Sequence, residues 1–249
     1  MAGVFGTANA QLIDEKDVTV TMDLQPVLQL DMTTANQLEF VFDDINEYYA
    51  GITNYAATIL KVSSTVSWDL YAVGRSSGAT APGFWDQQVD YGSDNINAIN
   101  QLPLSLLELR QSQINSGAAA ATGATFADYS LPFSAANSPA TGSNSLFANS
   151  NGGISPPTAG DKYIAGHAGV TGSGDFMPGG SYMNQTGSTS DYYYAIDYRI
   201  LPGLPAIFPN AHSADGGTAQ DIVTTSQAGN YAEPGVYTMY VQYVLLEDQ

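Results

Sequence analysis

The sequence predicts an all-β protein, and three observations predict it. Apolar and polar residues alternate with a period of two through the first third of the chain, as they do in half-buried strands. Strand-favouring residues return near the end, at Asp191–Ile200 and in the closing run GVYTMYVQYVLLEDQ, residues 235–249. Between these segments lie long stretches of Gly, Ala, Ser, Thr, Asn and Pro, the residues of turns and loops.

Val18, Val20, Met22 and Leu24 fall on one face of a first expected strand, with Thr19, Thr21 and Asp23 on the other. Pro26 cannot donate to a ladder and marks a break or an edge. Leu28, Leu30 and Met32 then face inward against Gln29 and Asp31, and Leu38, Phe40 and Phe42 alternate with Gln37, Glu39 and Val41. Asp44 as N-cap, Glu47 three residues on and Gly51 as stop predict one short capped helix. Strands resume at Tyr55–Val62 and Val66–Val73, where Val66, Trp68, Leu70 and Ala72 face the core and Ser67 and Asp69 face out.

Residues 75–100 read as turns and loops pinned by Phe84, Trp85 and Tyr91. LPLSLLEL, residues 102–109, fits a strand or a short helix. Residues 111–160 carry one charged residue, Asp128, yet Phe126, Tyr129, Leu131, Phe133, Leu146, Phe147 and Ile154 recur through them. A disordered tail normally carries high net charge, so this region reads as ordered loops lying against the domain or a neighbour. Loops this long usually carry function. In Asp191–Ile200 one face gathers Tyr192, Tyr194, Ile196, Tyr198 and Ile200, and Pro202, Pro205 and Pro209 end the run. The closing strand is expected to pair with Tyr55–Val62 or Asp191–Ile200, or with another chain. Seven to nine strands with long loops between them point to an immunoglobulin-like or jelly-roll-type β-sandwich. The expected organisation is an N-terminal arm or leader remnant at 1–12, then one sandwich domain at 13–249 with a loop-rich insertion at about 111–190.

Hydrophobic residues make up 44% of the 249 and support a core. Charged residues make up 12%, against a usual share of about 25%. Six basic residues face 24 acidic ones, a net charge of −18. The six are scattered, so no basic stripe neutralises phosphates and nucleic acid is not an expected partner. An anionic membrane would repel the chain, and no stretch approaches the ~18 apolar residues of a membrane span. Cysteine is absent, which removes disulfides, thiolate metal sites and cysteine nucleophiles. Ala8-Asn9-Ala10 before Gln11 has the form of a signal-peptidase site, without the basic and long apolar stretches that precede one. Few sites for trypsin-like proteases suit a durable extracellular part.

Catalytic signatures are missing. His167 and His212 sit in Gly/Ala-rich loops; no G-x-S-x-G elbow or H-E-x-x-H is present. Any two of the acidic residues could form a glycosidase pair, and nothing singles one out. Trp85 and Tyr91 form the candidate sugar platform, with loop anchoring as the plainer reading. Asp86, Asp90 and Asp94 supply hard oxygen ligands in one loop and are the candidate Ca²⁺ set, although the spacing is not that of an EF-hand.

The run VTVTMDLQPVLQLDM, then LEFVFDDINEYYAGI, then ATILKVSSTVSWDLYAVG resembles secreted surface proteins of Bacteroidetes-type bacteria. LPLSLLELR and YTMYVQYVLLEDQ extend the likeness to about half the chain, mostly framework strands. The resemblance implies a β-sandwich component of the cell surface, adhesin-like or filament-forming, with no catalytic residue to carry over. The leading expectation is therefore a structural, non-enzymatic subunit that polymerises with copies of itself into a pilus-like filament or a layer outside the cell, held by loop contacts and by β-strand addition in which the closing strand or the N-terminal arm completes a neighbour's sheet. Val4, Phe5, Leu12, Phe126, Tyr129, Phe133, Phe147, Tyr237 and Tyr240 are its candidate contact residues. The alternatives are an adhesin or carbohydrate-binding module that engages glycans or a host surface, and a virion decoration or fibre protein.

Overall fold

The computed structural model describes residues 14–66, 68–92, 98–113, 129, 131–133, 144–149, 152–157, 162–165, 192–200 and 231–247, together with Met1. Over these residues the protein is all-β. The strands are β1 (Leu28–Met32), β2 (Ile52–Ser64), β3 (Trp68–Arg75), β4 (Asp86–Asp90), β5 (Ala98–Ile99), β6 (Leu107–Gln113), β7 (Tyr163–Ala165), β8 (Tyr192–Ile200), β9 (Tyr231–Ala232), β10 (Gly235–Thr238) and β11 (Tyr240–Glu247). One sheet runs β1-β2-β8-β6 and a second runs β11-β3-β7; β10 pairs with β4, and β5 with β9. Every pairing is antiparallel except β5–β9.

The helix α1 (Ile45–Ala50) forms where its capping residues place it. The Asp44 carboxylate accepts from the Asn46 N–H at 2.7 Å, and Glu47 reaches back to the Asp44 N–H at 3.2 Å. Gly51 ends it at φ 69°, a conformation that favours glycine.

One hydrophobic core draws on both larger sheets. Cross-strand partners share a face. Leu60 of β2, Tyr194, Ile196 and Tyr198 of β8, and Leu107 and Leu109 of β6 therefore lie together. Trp68, Leu70 and Ala72 of β3 line up with Tyr243 and Leu245 of β11. The Tyr198 and Tyr243 hydroxyls meet, and Tyr198 also bonds Thr58 at 2.7 Å, so this contact joins the two sheets across the core. Gly74 of β3 leaves room for its neighbours: a Cβ there would stand 2.9 Å from Leu146 Cδ2 and 3.3 Å from Met239 Cε.

Several expectations are corrected. Residues 18–24 form no strand, and neither do 37–43, although Phe40 and Phe42 still pack against the core. Alternation equips a segment for pairing but supplies no partner. Asp69 is buried rather than outward, because β3 is covered on both faces. DQQVD becomes β4, a strand of two-stranded pairing with no apolar stripe to announce it. LPLSLLEL is both things in turn: a 3-10 turn at Leu104–Leu106, then β6, which continues to Gln113. The closing run is divided at Met239. Its first part pairs with β4 and its second with β3, not with β2 or β8.

On the outer face of the four-stranded sheet, Glu108 stands opposite Arg199 and Arg110 opposite Asp197. The Arg199 guanidinium holds the Glu108 carboxylate at 2.5 Å, with both side chains buried, and Arg110 lies 3.7 Å from Asp197. Sliding β6 by two residues one way would set Glu108 against Asp197; sliding it the other way would set Arg110 against Arg199. Like charges directly opposite destabilise, so the pairs fix the register. Burial pushes the Glu108 carboxyl above its ordinary range, and the Arg199 hydrogen bond and charge pull it back. Removing one partner of a buried pair costs about 3–5 kcal/mol, while replacing both can be neutral. Arg199→Leu should lose roughly that much in urea unfolding, and Glu108→Met with Arg199→Leu should recover most of it.

Candidate interaction surface

Residues 14–27 precede β1 without regular secondary structure. Val18, Val20, Met22 and Leu24 are 85, 85, 78 and 83% exposed, and Thr19, Thr21 and Asp23 beside them are exposed too. The alternation seen in the sequence is real, but no described residue covers it. Asp14, Glu15, Lys16 and Asp17 lead into this row, with Lys16 3.5 Å from Asp14.

The outer strands of the two larger sheets differ in how they are protected. At β6 the edge is taken up. Leu109 N–H donates to Asn144 O at 2.8 Å, Leu146 N–H to Leu107 O at 2.8 Å, and Gln111 N–H to the Tyr129 carbonyl. β7 is three residues long. β1 is five residues long, follows Pro26 and carries Asp31, which accepts from Gln29. Short length, charge and proline are the usual guards of an edge. β11 has none of them: its eight residues, YVQYVLLE, hold one charge at the end, no proline and an unbroken register with β3. No hydrogen bond from another described residue reaches its outer edge. Val241, Tyr243, Val244, Leu245 and Leu246 are all only half-buried, although they pack against the core. Leu28 and Met32 of β1, on the core-facing side by register with Ser64 and Leu60, are exposed as well. β1 and β11 contact each other across the two sheets.

The residues singled out in the sequence fall in different places. Tyr240, at the head of β11, is exposed. Tyr237 is half-buried, and its hydroxyl donates to Glu233 O at 2.7 Å. Burial, with Glu233 and Asp90 nearby, pushes that hydroxyl well up. Phe133 is half-buried under the Arg199 guanidinium, 4.6 Å from its ring centre. Tyr129 and Phe147 are corrected from contact residues to core: both are buried, and the Tyr129 hydroxyl accepts from the Phe147 N–H at 3.0 Å. The aromatic residues of a low-charge loop were needed inside. Val4, Phe5, Leu12 and Phe126 lie outside the described residues.

Trp85 and Tyr91 do not share a platform. They flank the two ends of β4, about 20 Å apart at strand rise. Trp85 packs against the core and Tyr91 is exposed. Asp86 and Asp90 are likewise separated, by about 13 Å along the strand, too far to ligate one ion. Asp86 is buried and accepts from the backbone N–H groups of Ser77 and of Ala79, the latter at 2.8 Å. Asp90 accepts from the Gly92 N–H at 2.6 Å. Both are turn-forming groups; Asp94 lies outside the described residues. Among the described residues no helix is long and apolar enough to cross a membrane.

Sequence reading missed the arm at 14–27 as an arm, because its pattern is that of a strand. It left open whether the closing strand pairs within the domain or with another chain, because the partner is not written in the strand itself. No protein-family model matches this chain, and no curated protein matches it.

For Asp86, burial acts to raise the carboxyl pKa, but hydrogen bonds from Ser77, Ala79 and Thr80 outweigh it and hold the group below its usual range. A depressed folded pKa stabilises above the unfolded value, about 3.9, and the gain is lost as pH falls through the folded value. Asp86→Asn should therefore be less stable than the parent chain at neutral pH. The gap between their urea midpoints should close as pH falls below about 4.

Proposed function

We propose that this chain is an extracellular structural subunit that assembles with copies of itself into a surface filament or layer. We infer further that its two larger sheets stack as a β-sandwich of the immunoglobulin-like or jelly-roll type. The shared core and the Tyr198–Tyr243 contact between the sheets support that architecture.

One observation carries the functional reading: four alternating apolar side chains stand 78–85% exposed on an arm that no described residue covers. A contiguous apolar row on a protein surface marks an interaction site. Burying Val18, Val20, Met22 and Leu24 is worth about 6–12 kcal/mol gross, at about 1.5–3 kcal/mol for each side chain. Association costs about 4–15 kcal/mol in lost freedom, so the arm contributes on the scale an assembly needs. The supports for an extracellular setting are the absence of cysteine and the six basic residues in 249.

A charge of −18 on every copy opposes assembly. The opposition is screened as salt shortens the Debye length to about 8 Å at physiological ionic strength. Light scattering and negative-stain microscopy of the purified chain should show polymers that grow with protein concentration and with salt. Immunogold labelling should find the protein outside intact cells. A chain that stays monomeric at every concentration and salt overturns the reading.

A further inference from the structure

We infer that the outer edge of β11 in one copy accepts Val18–Leu24 of a second copy as an added strand. The inference rests on the self-assembly reading and names its donor and its acceptor.

Dimensions agree first. Eight residues of β11 extend about 27 Å, and the seven of Val18–Leu24 about 24 Å, so the donor covers most of the acceptor. The chemistry agrees as well. Paired to β11, one face of the arm would bring Val18, Val20, Met22 and Leu24 beside Val241, Tyr243 and Leu245, which the protomer leaves half-covered. The other face, Thr19, Thr21 and Asp23, would remain in water. β-branched residues in alternation suit such a pair, and main-chain bonds with side-chain seats at every second position are how strand addition works.

The donor has to come from another molecule. Val27 is fixed as a continuation of β1: its N–H donates to Thr65 Oγ1 at 2.8 Å, and its carbonyl accepts from the Thr65 N–H at 2.9 Å. Pro26 restricts Gln25 to extended backbone, and proline is disfavoured at the third position of the common tight turn. A reversal through Gln25 and Pro26 would be needed to lay the arm on its own domain, and the arm stands clear of it. β1 is the weaker acceptor, being shorter and guarded by Asp31 and Pro26. An arm that leaves one copy and enters the next uses two different surfaces, and such a contact repeats without closing unless the rotation happens to form a ring.

The test uses the full chain carrying Val18→Asp, Val20→Asp and Met22→Asp. These side chains are exposed, so the fold is kept and circular dichroism and the urea midpoint should match the parent. This variant should fail to polymerise but should still accept a strand. A synthetic peptide of residues 14–25, with a benzophenone in place of Thr21, should bind it saturably and cross-link within Tyr240–Glu247 on illumination. A scrambled peptide should do neither. If the triple variant polymerises as well as the parent, or the cross-links fall outside β11, this inference is overturned while self-assembly stands. If the parent chain itself never polymerises, both readings fall.

Discussion

A strand's backbone carries one donor and one acceptor per residue, and both must be paired or wetted. That requirement organises this protein. β3 lies between β11, which pairs along its whole length, and the shorter β7, with Gly74 N–H donating to Phe147 O beyond it, and its residues from Trp68 to Gly74 are buried. β8 meets the requirement between β2 and β6. Around these two central strands the core is built, and the Tyr198–Tyr243 contact ties one to the neighbour of the other. β6, at a sheet margin, is closed by the segment through Asn144 and Leu146. Among the described residues, β11 is the place where the requirement is left open over a full-length strand.

The polar interior follows from the same logic. Among the described residues the acidic groups Asp69, Asp86, Glu108 and Asp197 are buried, together with Lys162 and Arg199. Asp86 holds a turn, and Glu108 and Asp197 set the register of β6 on β8 by facing Arg199 and Arg110. Lys162 donates to the Ser145 carbonyl at 3.2 Å and lies over the Tyr129 ring. The charges taken inside fix how strands and turns meet.

Much of this was legible in the sequence, for reasons that can be named. Helix α1 was readable because capping is a local code: Asp44, Glu47 and Gly51 act within one short segment. β2, β3 and β8 were readable because each has an apolar row and lies inside a sheet. Reading failed where the decisive fact was the partner. VTVTMDL and LEFVF alternate as well as any strand here, yet neither forms a strand. DQQVD has no apolar row and is paired to β10. Asp69 was assigned to solvent because alternation assumes one wet face, and β3 has none. Tyr129 and Phe147 looked like contact residues because they sit among glycines and alanines, but a loop that lacks charge can lie on the core and contribute to it. The arm was misread, and the partner of the closing strand was left open, for a single reason: the sequence states that a segment can pair, and the structure states whether it does.

The central claim is that two unpaired backbones, the arm and the β11 edge, are each other's partners between copies. Residue-resolved amide hydrogen exchange, comparing assembled with dissociated protein, tests it most directly. The account predicts that the amides of Val18–Leu24 and those on the outer edge of Tyr240–Glu247 become protected together on assembly and lose that protection together on dissociation. Assembled protein in which both segments exchange as freely as in the monomer would contradict it.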